Sequence, residues 1–370
     1  MLDTAIKLLT KITDKGYEAY LVGGFVRDYL LGIKSSDIDV TTSATPKELM
    51  EIFNDYCLPT NEYGSVTITF NKIRFEITTF RKEFTYKDNR HPEEIIYIKN
   101  LKEDLLRRDF TINVICMDKD KKIIDPLDGR KDLEKRELHT IKSPETVFND
   151  DVLRILRAIR FATTLDFTIG TLEKNAIIEN KYLLDSLSME RKKQELDKIF
   201  SSPNAIKGIN ILKELELAEV LNLNNLTKIK PCSQLIGIWT QLEVDDIYPF
   251  SNNEKDLMKN IRKVLNSSPT NPLTLYNCGL YPAVVAGELM NYSNKEINEA
   301  YLNLAIHKQS DLAVTTEEIL KSINHEAGSF LKDLYEHIIK EVLTRKIPNE
   351  KEDILRISKQ YLKEEYNESR

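Results

Sequence analysis

The sequence predicts an α+β protein: a head with a small mixed β-sheet in about the first 142 residues, then an all-helical remainder. Two observations carry that expectation. Residues 63–80, YGSVTITFNKIRFEITTF, alternate apolar and polar side chains on either side of Asn71-Lys72, which is the pattern of a β-hairpin. From Ser143 onward the apolar spacing is helical, with breaks at Pro203, Pro231, Pro269, Pro272, Pro282 and Pro348. A chain of 370 residues has room for roughly two or three domains. We divide it into a head, 1–142, and three helical parts: a neck, 143–205, a body, 206–280, and a tail, 281–370.

The elements follow in order. MLDTAIKLLTKITDKG interleaves acid, base and apolar residues, so it reads as an amphipathic helix rather than a signal peptide. Tyr20-Leu21-Val22 is strand-like and runs into Gly23-Gly24, followed by an amphipathic segment carrying Arg27 and Asp28. Residues 46–54 look helical, with Pro46 in the first turn. Residues 81–100 are densely charged with a His-Pro in the middle, and are expected to be a mobile loop leading into a short strand. Residues 119–122 form a turn, Asp125-Pro126 and Asp128-Gly129 are turn chemistry, and a short strand returns near His139.

Composition narrows the class. The chain is 41% hydrophobic and 30% charged, ordinary for a globular protein. No apolar run approaches the roughly 20 residues that span a bilayer. A net charge of −6 argues against an indiscriminate nucleic-acid binder, yet a local basic surface suffices to hold phosphates. Cys57, Cys116, Cys232 and Cys278 are scattered, without CxxC or paired histidines. They read as buried thiols of a reducing, cytoplasmic compartment, with no zinc site and no disulfide framework.

Residues 20–42, YLVGGFVRDYLLGIKSSDIDVTT, hold the first chemical signal. Asp37 and Asp39 bracket Ile38, so on a strand both carboxylates face one side and offer about four oxygens to hard cations such as magnesium. The glycines let backbone approach an anion, and the start of the following helix suits a phosphate. Either fragment alone is commonly just a turn or a solvated edge. Together they fit two-metal nucleotidyl transfer. Glu76, between Phe75 and Ile77, is either surface or a third carboxylate facing the metals.

LVGGxVRDxLLG followed by DxD resembles the nucleotidyltransferase core of the polymerase β superfamily, and within it the class II tRNA nucleotidyltransferase–poly(A) polymerase family. RRDFTIN, residues 107–113, resembles that family's second motif. The resemblance implies that Arg108 and Asp109 address the nucleotide, with Asp109 on the ribose. Residues 149–161, NDDVLRILRAIRF, show an apolar face of Val152, Ile155, Leu156 and Ile159, and a ridge of Asp151, Arg154, Arg157 and Arg160. Three arginines on one ridge repel unless anions sit nearby, and a triphosphate would supply them. The family's E-D-x-x-R motif resembles this stretch. It implies that Asp151 and Arg154 pair with the incoming base as a protein template, leaving Arg157 and Arg160 for phosphates. Asp150 stands where the family has glutamate, one methylene shorter.

Residues 189–200 are similar to the family's neck helix, where Glu190 and Arg191 are expected to brace the template helix. Residues 311–314 and 347–352 resemble the tail that holds the tRNA elbow in bacterial CCA-adding enzymes, with Thr315-Thr316 in place of the usual Asn-Gly. Residues 81–94 stand where CC-only enzymes lack a loop. The glycine-arginine-arginine-phenylalanine signature and basic extension of poly(A) polymerases are missing. The resemblance therefore implies CCA addition to tRNA from CTP and ATP. It implies two Mg2+ on Asp37 and Asp39 (with Glu76 a candidate third ligand), Gly24 and Arg27 on phosphate, no membrane partner, and a monomer or homodimer. A-only addition remains open on the motifs.

Overall fold

The computed structural model describes residues 1–35, 37–53, 57–59, 64–87 and 91–368, with backbone alone for 57–59, 84–87, 91–94 and 364–368. It divides into two compact units, Met1–Thr227 and Lys228–Arg370.

In the first unit, helix α1 (Leu2–Thr13) buries Ala5, Leu8, Leu9 and Ile12, the i, i+3, i+4, i+7 stripe of an amphipathic helix. It packs on strand β1 (Ala19–Val22), which leads through Gly23 into α2 (Gly24–Leu30). Gly23 has φ of 74°, a conformation glycine reaches without a Cβ penalty. Then come β2 (Asp39–Thr42), α3 (Pro46–Phe53), β3 (Cys57–Pro59), β4 (Ser65–Phe70) and β5 (Ile73–Thr79). The β4–β5 hairpin turns at Asn71 and Lys72, both with positive φ, as a two-residue loop matched to strand twist requires. Later in the chain come β8 (Cys116–Met117) and β9 (Ile123–Ile124), which complete a sheet of order β3-β4-β5-β2-β1-β8-β9. It is mixed: β2 and β5 run parallel, the other neighbours antiparallel. The register sets Asp39 beside Val22 on one side and beside Glu76 on the other. The end of β1, the turn at Gly23 and two acidic residues thus meet at one end of the sheet.

The structure differs from the expected loop here. Strand β6 (Arg81–Lys87) pairs antiparallel with β7 (His91–Tyr97) in a separate two-stranded sheet. The dense charges hid it, because a ladder held by backbone hydrogen bonds needs no apolar alternation. Helix α4 (Leu101–Leu105) follows, its N-terminus capped by the Asn100 side chain. Then come α5 (Gly129–Lys135) and β10 (Glu137–Leu138).

Beyond Ser143 the chain is helical with one exception. Strand β11 (Thr168–Ile169) pairs in parallel with β10. It lies between α7 (Leu153–Thr164) and α8 (Thr171–Asn180), after α6 (Pro144–Asp150), and is too short for periodicity to reveal. The predicted face of α7 is buried: Ile155, Leu156 and Ile159 are fully enclosed, as is Val152 just before the helix. It packs against α9 (Met189–Phe200) and α10 (Ala205–Glu214).

The second unit is helical throughout its regular elements, from α11 (Leu235–Leu242) to α18 (Lys351–Glu368). Pro282 interrupts nothing; it is buried in the first turn of α14 (Leu280–Leu289), where a missing N–H costs little. Reciprocal caps start three helices: Ser251 with Glu254, Ser293 with Glu296 and Thr315 with Glu318. Thr315 thus has a structural use of its own. Asn349 joins the two tail stretches, accepting from Ala313 N at 2.9 Å and donating to Asp311 O at 2.8 Å. No helix among the described residues is long and apolar enough to cross a membrane. Cys116, Cys232 and Cys278 are free thiols, and burial pushes Cys116 up to about 12. The side chain of Cys57 lies outside the described residues.

Gly129 gives a stability test. A Cβ there would stand 2.1 Å from the carbonyl oxygen of Thr111, a backbone atom with little freedom to retreat. Gly129→Ala is expected to destabilise the protein by about 1–3 kcal/mol, seen as a lower urea midpoint. An unchanged midpoint would show that the Thr111 segment shifts freely.

Candidate active site

A cavity of about 610 Å³ in the first unit is lined by residues from each sequence motif, among them Gly23, Gly24, Arg27, Asp37, Asp39, Arg108, Asp109, Asp151, Arg154, Arg157 and Arg160. The acidic floor follows from strand alternation. Ile38 is buried, while Asp37, just before β2, and Asp39, its first residue, both line the cavity. Glu76 faces outward between the buried Phe75 and Ile77, and lines an adjoining cavity together with Asp39. Burial pushes the Asp39 carboxyl up; Arg108 opposes this, and Glu76 and Asp37 add to it. Asp39 is therefore short of positive charge. The missing Cβ of Gly23 lets the turn approach: one placed there would be 3.2 Å from Oδ2 of Asp39.

Asp109 is buried and its oxygens are engaged by protein. Oδ1 accepts from Phe110 N at 2.8 Å and Asn113 Nδ2 at 3.0 Å. Oδ2 accepts from Arg157 Nε at 2.8 Å and Nη2 at 2.6 Å. Burial alone would raise this carboxyl, but Arg157, the Asn113 hydrogen bond and Arg154 outweigh it and hold it well below the usual carboxylate range. Asn113 Oδ1 accepts from Arg27 Nη1 at 2.7 Å, and Arg27 is also paired with Asp28 at 2.7 Å. Beneath these groups lies the ring of Phe161, with the guanidinium carbons of Arg27, Arg157 and Arg160 at 5.1, 5.2 and 4.3 Å from its centroid.

The expected ridge is altered in two ways. Asp151 precedes α7 in extended conformation, and its Oδ1 accepts from Leu153 N at 3.0 Å. Each arginine also has a protein partner of its own. Arg154 donates to the carbonyl oxygens of Val147 at 3.3 Å and Arg107 at 2.7 Å, Arg157 holds Asp109, and Arg160 is 3.0 Å from Glu195. These partners offset part of the repulsion along the helix, although burial and Arg157 still push the Arg160 guanidinium down. The acid paired with Arg160 is Glu195, buried on α9, while Glu190 is exposed at that helix's start. The sequence reading missed Glu195 because an acid on a lysine-rich helix looks like solvated surface. It also missed Asn113 and Phe161, although both stand inside the quoted motifs.

The outer wall is a second network. Asp104, fully buried, accepts from Thr41 Oγ1 at 3.1 Å, Arg81 N at 3.1 Å and Arg107 Nε at 2.9 Å. Glu83 of β6 is paired with Arg81 at 2.6 Å and Arg107 at 3.3 Å. The Nε of Arg108 is buried with no hydrogen-bond partner among the described residues. That donor is available to a ligand oxygen. Asp151 lines the cavity, and Asp150 is not among its lining residues.

The chain is similar to known proteins along most of its length. The profile described as the poly A polymerase head domain matches residues 19–139. That of a probable RNA and SrmB-binding site of polymerase A matches 166–225, and that of a putative tRNA nucleotidyltransferase domain 2 matches 247–357. A CCA-adding enzyme of a Geobacillus species is 32% identical over 95% of this chain and 95% of its own length. One from Listeria innocua is 34% identical over 95% and 96%. The crystal structure of the Bacillus stearothermophilus CCA-adding enzyme in complex with CTP superposes with a TM-score of 0.84, at 27% identity over 99% of this chain and 98% of that one.

The buried pair gives a test with a definite sign. A carboxyl whose folded pKa is depressed adds stability that is complete above its unfolded value of about 3.9 and is lost as pH falls below it. Asp109→Asn is expected to cost about 2–3 kcal/mol at pH 7 and to reduce the loss of stability between pH 5 and pH 3. Urea denaturation at those pH values measures both. Asp104, also held low, leaves a residual slope in the variant.

Proposed function

Because the chain belongs to the CCA-adding enzyme family of tRNA nucleotidyltransferases, we propose that it builds or repairs the CCA terminus of tRNA from CTP and ATP, on two Mg2+ ions and with side chains as the template. The observation that carries this reading is the meeting, in one cavity, of an under-compensated acidic pair, a buried aspartate held by arginine, and the Asp151–Arg154 pair. Oxygen donors at Asp37 and Asp39, with Glu76 on the adjacent strand, suit a hard divalent cation, which would offset the charge that raises Asp39. When bound, such ions supply a lowered pKa for the attacking 3′-hydroxyl and countercharge for the triphosphate and the leaving pyrophosphate.

In this reading the chain's own groups orient the reactants. Gly24 and Arg27 hold phosphate beside the turn, and Arg108 offers its orphaned Nε to a phosphate or sugar oxygen. Asp109 receives the ribose hydroxyl in addition to, or in exchange for, one of its internal donors. Asp151 accepts from the base and Arg154 donates to it, a pair that matches the edge of cytosine and, after a small rotation, that of adenine. Carbonyl contacts from Val147 and Arg107 fix the Arg154 fork for that task. Arg157 and Arg160 add positive charge facing the triphosphate. The head 1–142 and neck 143–205 carry this chemistry, the body 206–280 follows, and the tail 281–370 holds tRNA.

Primer extension tests the reading, with one tRNA ending at the discriminator base, at C, or at CC, in magnesium with CTP, ATP or both. Growth of the first substrate by three nucleotides and then a stop is expected. Extension of the CC-ended tRNA alone by one A, or a long ladder with ATP, would replace this reading with A-only addition or polyadenylation. Asp37→Ala is expected to abolish extension with tRNA affinity largely kept; retained turnover would remove Asp37 from the metal site. Arg154→Ala is expected to reduce CTP/ATP discrimination about tenfold, the value of roughly one charged hydrogen bond. Unchanged base selectivity would count against a protein template.

A further inference from the structure

Outside the cavity, three side chains converge near the end of the head. They are Asp132 of α5, Glu137 of β10 and His139, and one ligand atom from each lies within 4.8 Å of the others. The His139 ring is held from both sides. Its Nδ1 is 3.3 Å from Oε2 of Glu173, and its Nε2 is 3.4 Å from Oε2 of Glu137. Glu173, on α8, is 4% exposed and fixed through its other oxygen, which accepts from Thr140 N at 3.0 Å and Thr140 Oγ1 at 3.2 Å. Gly170 makes room for this pair: a Cβ there would be 2.2 Å from Oε2 of Glu173 and 2.6 Å from Nδ1 of His139. Asp132 is steadied by Thr111, whose hydroxyl donates to Oδ2 at 2.6 Å.

Three carboxylates thus surround one imidazole, and both ring nitrogens face carboxylate oxygens. Glu173, buried and doubly anchored, is the fixed partner of Nδ1. On the other side Nε2 faces the partly exposed Glu137, with Asp132 nearby, so three ligand atoms converge on one point that a cation could fill. A histidine that donates one nitrogen to a carboxylate and turns the other to a metal is the recurring way proteins orient such ligands.

We infer that Asp132, Glu137 and His139 form a binding site for a divalent first-row transition cation of the zinc class, with Glu173 as its positioning residue. A nitrogen donor among oxygens favours that class over magnesium or calcium. Ligands bonded at about 2.0–2.2 Å stand at most about 4.4 Å apart, so modest rotation of the partly exposed Asp132 and Glu137 closes the site. The site would brace the nucleotide-addressing segment. Thr111, which holds Asp132, also donates its N–H to the His139 carbonyl at 3.0 Å, and it lies two residues from Asp109.

The test uses the full chain carrying Asp37→Ala and Asp39→Ala, so that the acidic pair of the cavity offers no site. After treatment with a chelator, the protein is titrated calorimetrically with zinc chloride in excess magnesium, and its thermal midpoint is read with and without zinc. One zinc per chain and a raised midpoint are expected. His139→Gln is expected to weaken binding at least tenfold, and Glu173→Gln by about 10- to 100-fold. Glu137→Gln, at the exposed side of the site, supplies the same readout should the histidine variant fail to fold. Absence of zinc binding in the parent, as for a site filled by a second imidazole proton, would overturn the inference. So would equal affinity in the parent and in Glu137→Gln.

Discussion

The ion pair between Asp109 and Arg157 is the contact on which the cavity depends. It joins the segment after α4 to helix α7, so it ties the strand-bearing head to the first helices beyond it. From Asp109 the connection continues through Asn113 to Arg27 and Asp28, and Phe161 lies under the guanidinium groups. A charge buried with partners on both carboxylate oxygens is a specific geometry rather than a large source of stability. Its main consequence is that α7 has one position relative to β2, and so Asp151 and Arg154 have one position relative to Asp37 and Asp39.

Electrostatic compensation within the protein explains how so many arginines line one cavity. Arg154 rests on carbonyl dipoles, Arg157 on Asp109, Arg160 on Glu195, and Arg107 on Asp104 and Glu83. The guanidinium groups are therefore held in place by protein partners before any ligand arrives. Among the groups left under-compensated, two that line the cavity have opposite signs: the Asp39 carboxyl, and the buried Nε of Arg108. These are the positions at which a cation and an anionic ligand gain most.

Thr111 links this machinery to its support. Its segment touches α5 through Gly129 and the strand at His139 through backbone hydrogen bonds, while Asp109 two residues earlier faces the cavity. The same few residues therefore pack against the carboxylate–histidine cluster and carry the buried Asp109 of the cavity. The sequence reading set zinc aside on cysteine spacing. Asp132, Glu137 and His139 lie close together in sequence but carry no paired cysteines or histidines, and Glu173, which positions the ring, comes from α8.

Much of the fold and of the cavity was legible in the sequence. Alternation gave the β4–β5 hairpin, helical spacing gave α1 and the buried face of α7, and Asp37-Ile38-Asp39 gave the paired carboxylates, because these depend on strand and helix periods alone. The charged β6–β7 pair escaped, since its strands are recorded in backbone pairing rather than in side-chain pattern. The β10–β11 pair escaped because two residues make no period. Which acid answers which arginine was also beyond the sequence. Asp109 and Arg157 are 48 residues apart, and Arg160 meets Glu195 of another helix. The sequence by itself determined which groups the protein possesses and which local faces they share. Only the tertiary structure decided their partners, because an ion pair depends on distances set by packing between elements far apart in the chain.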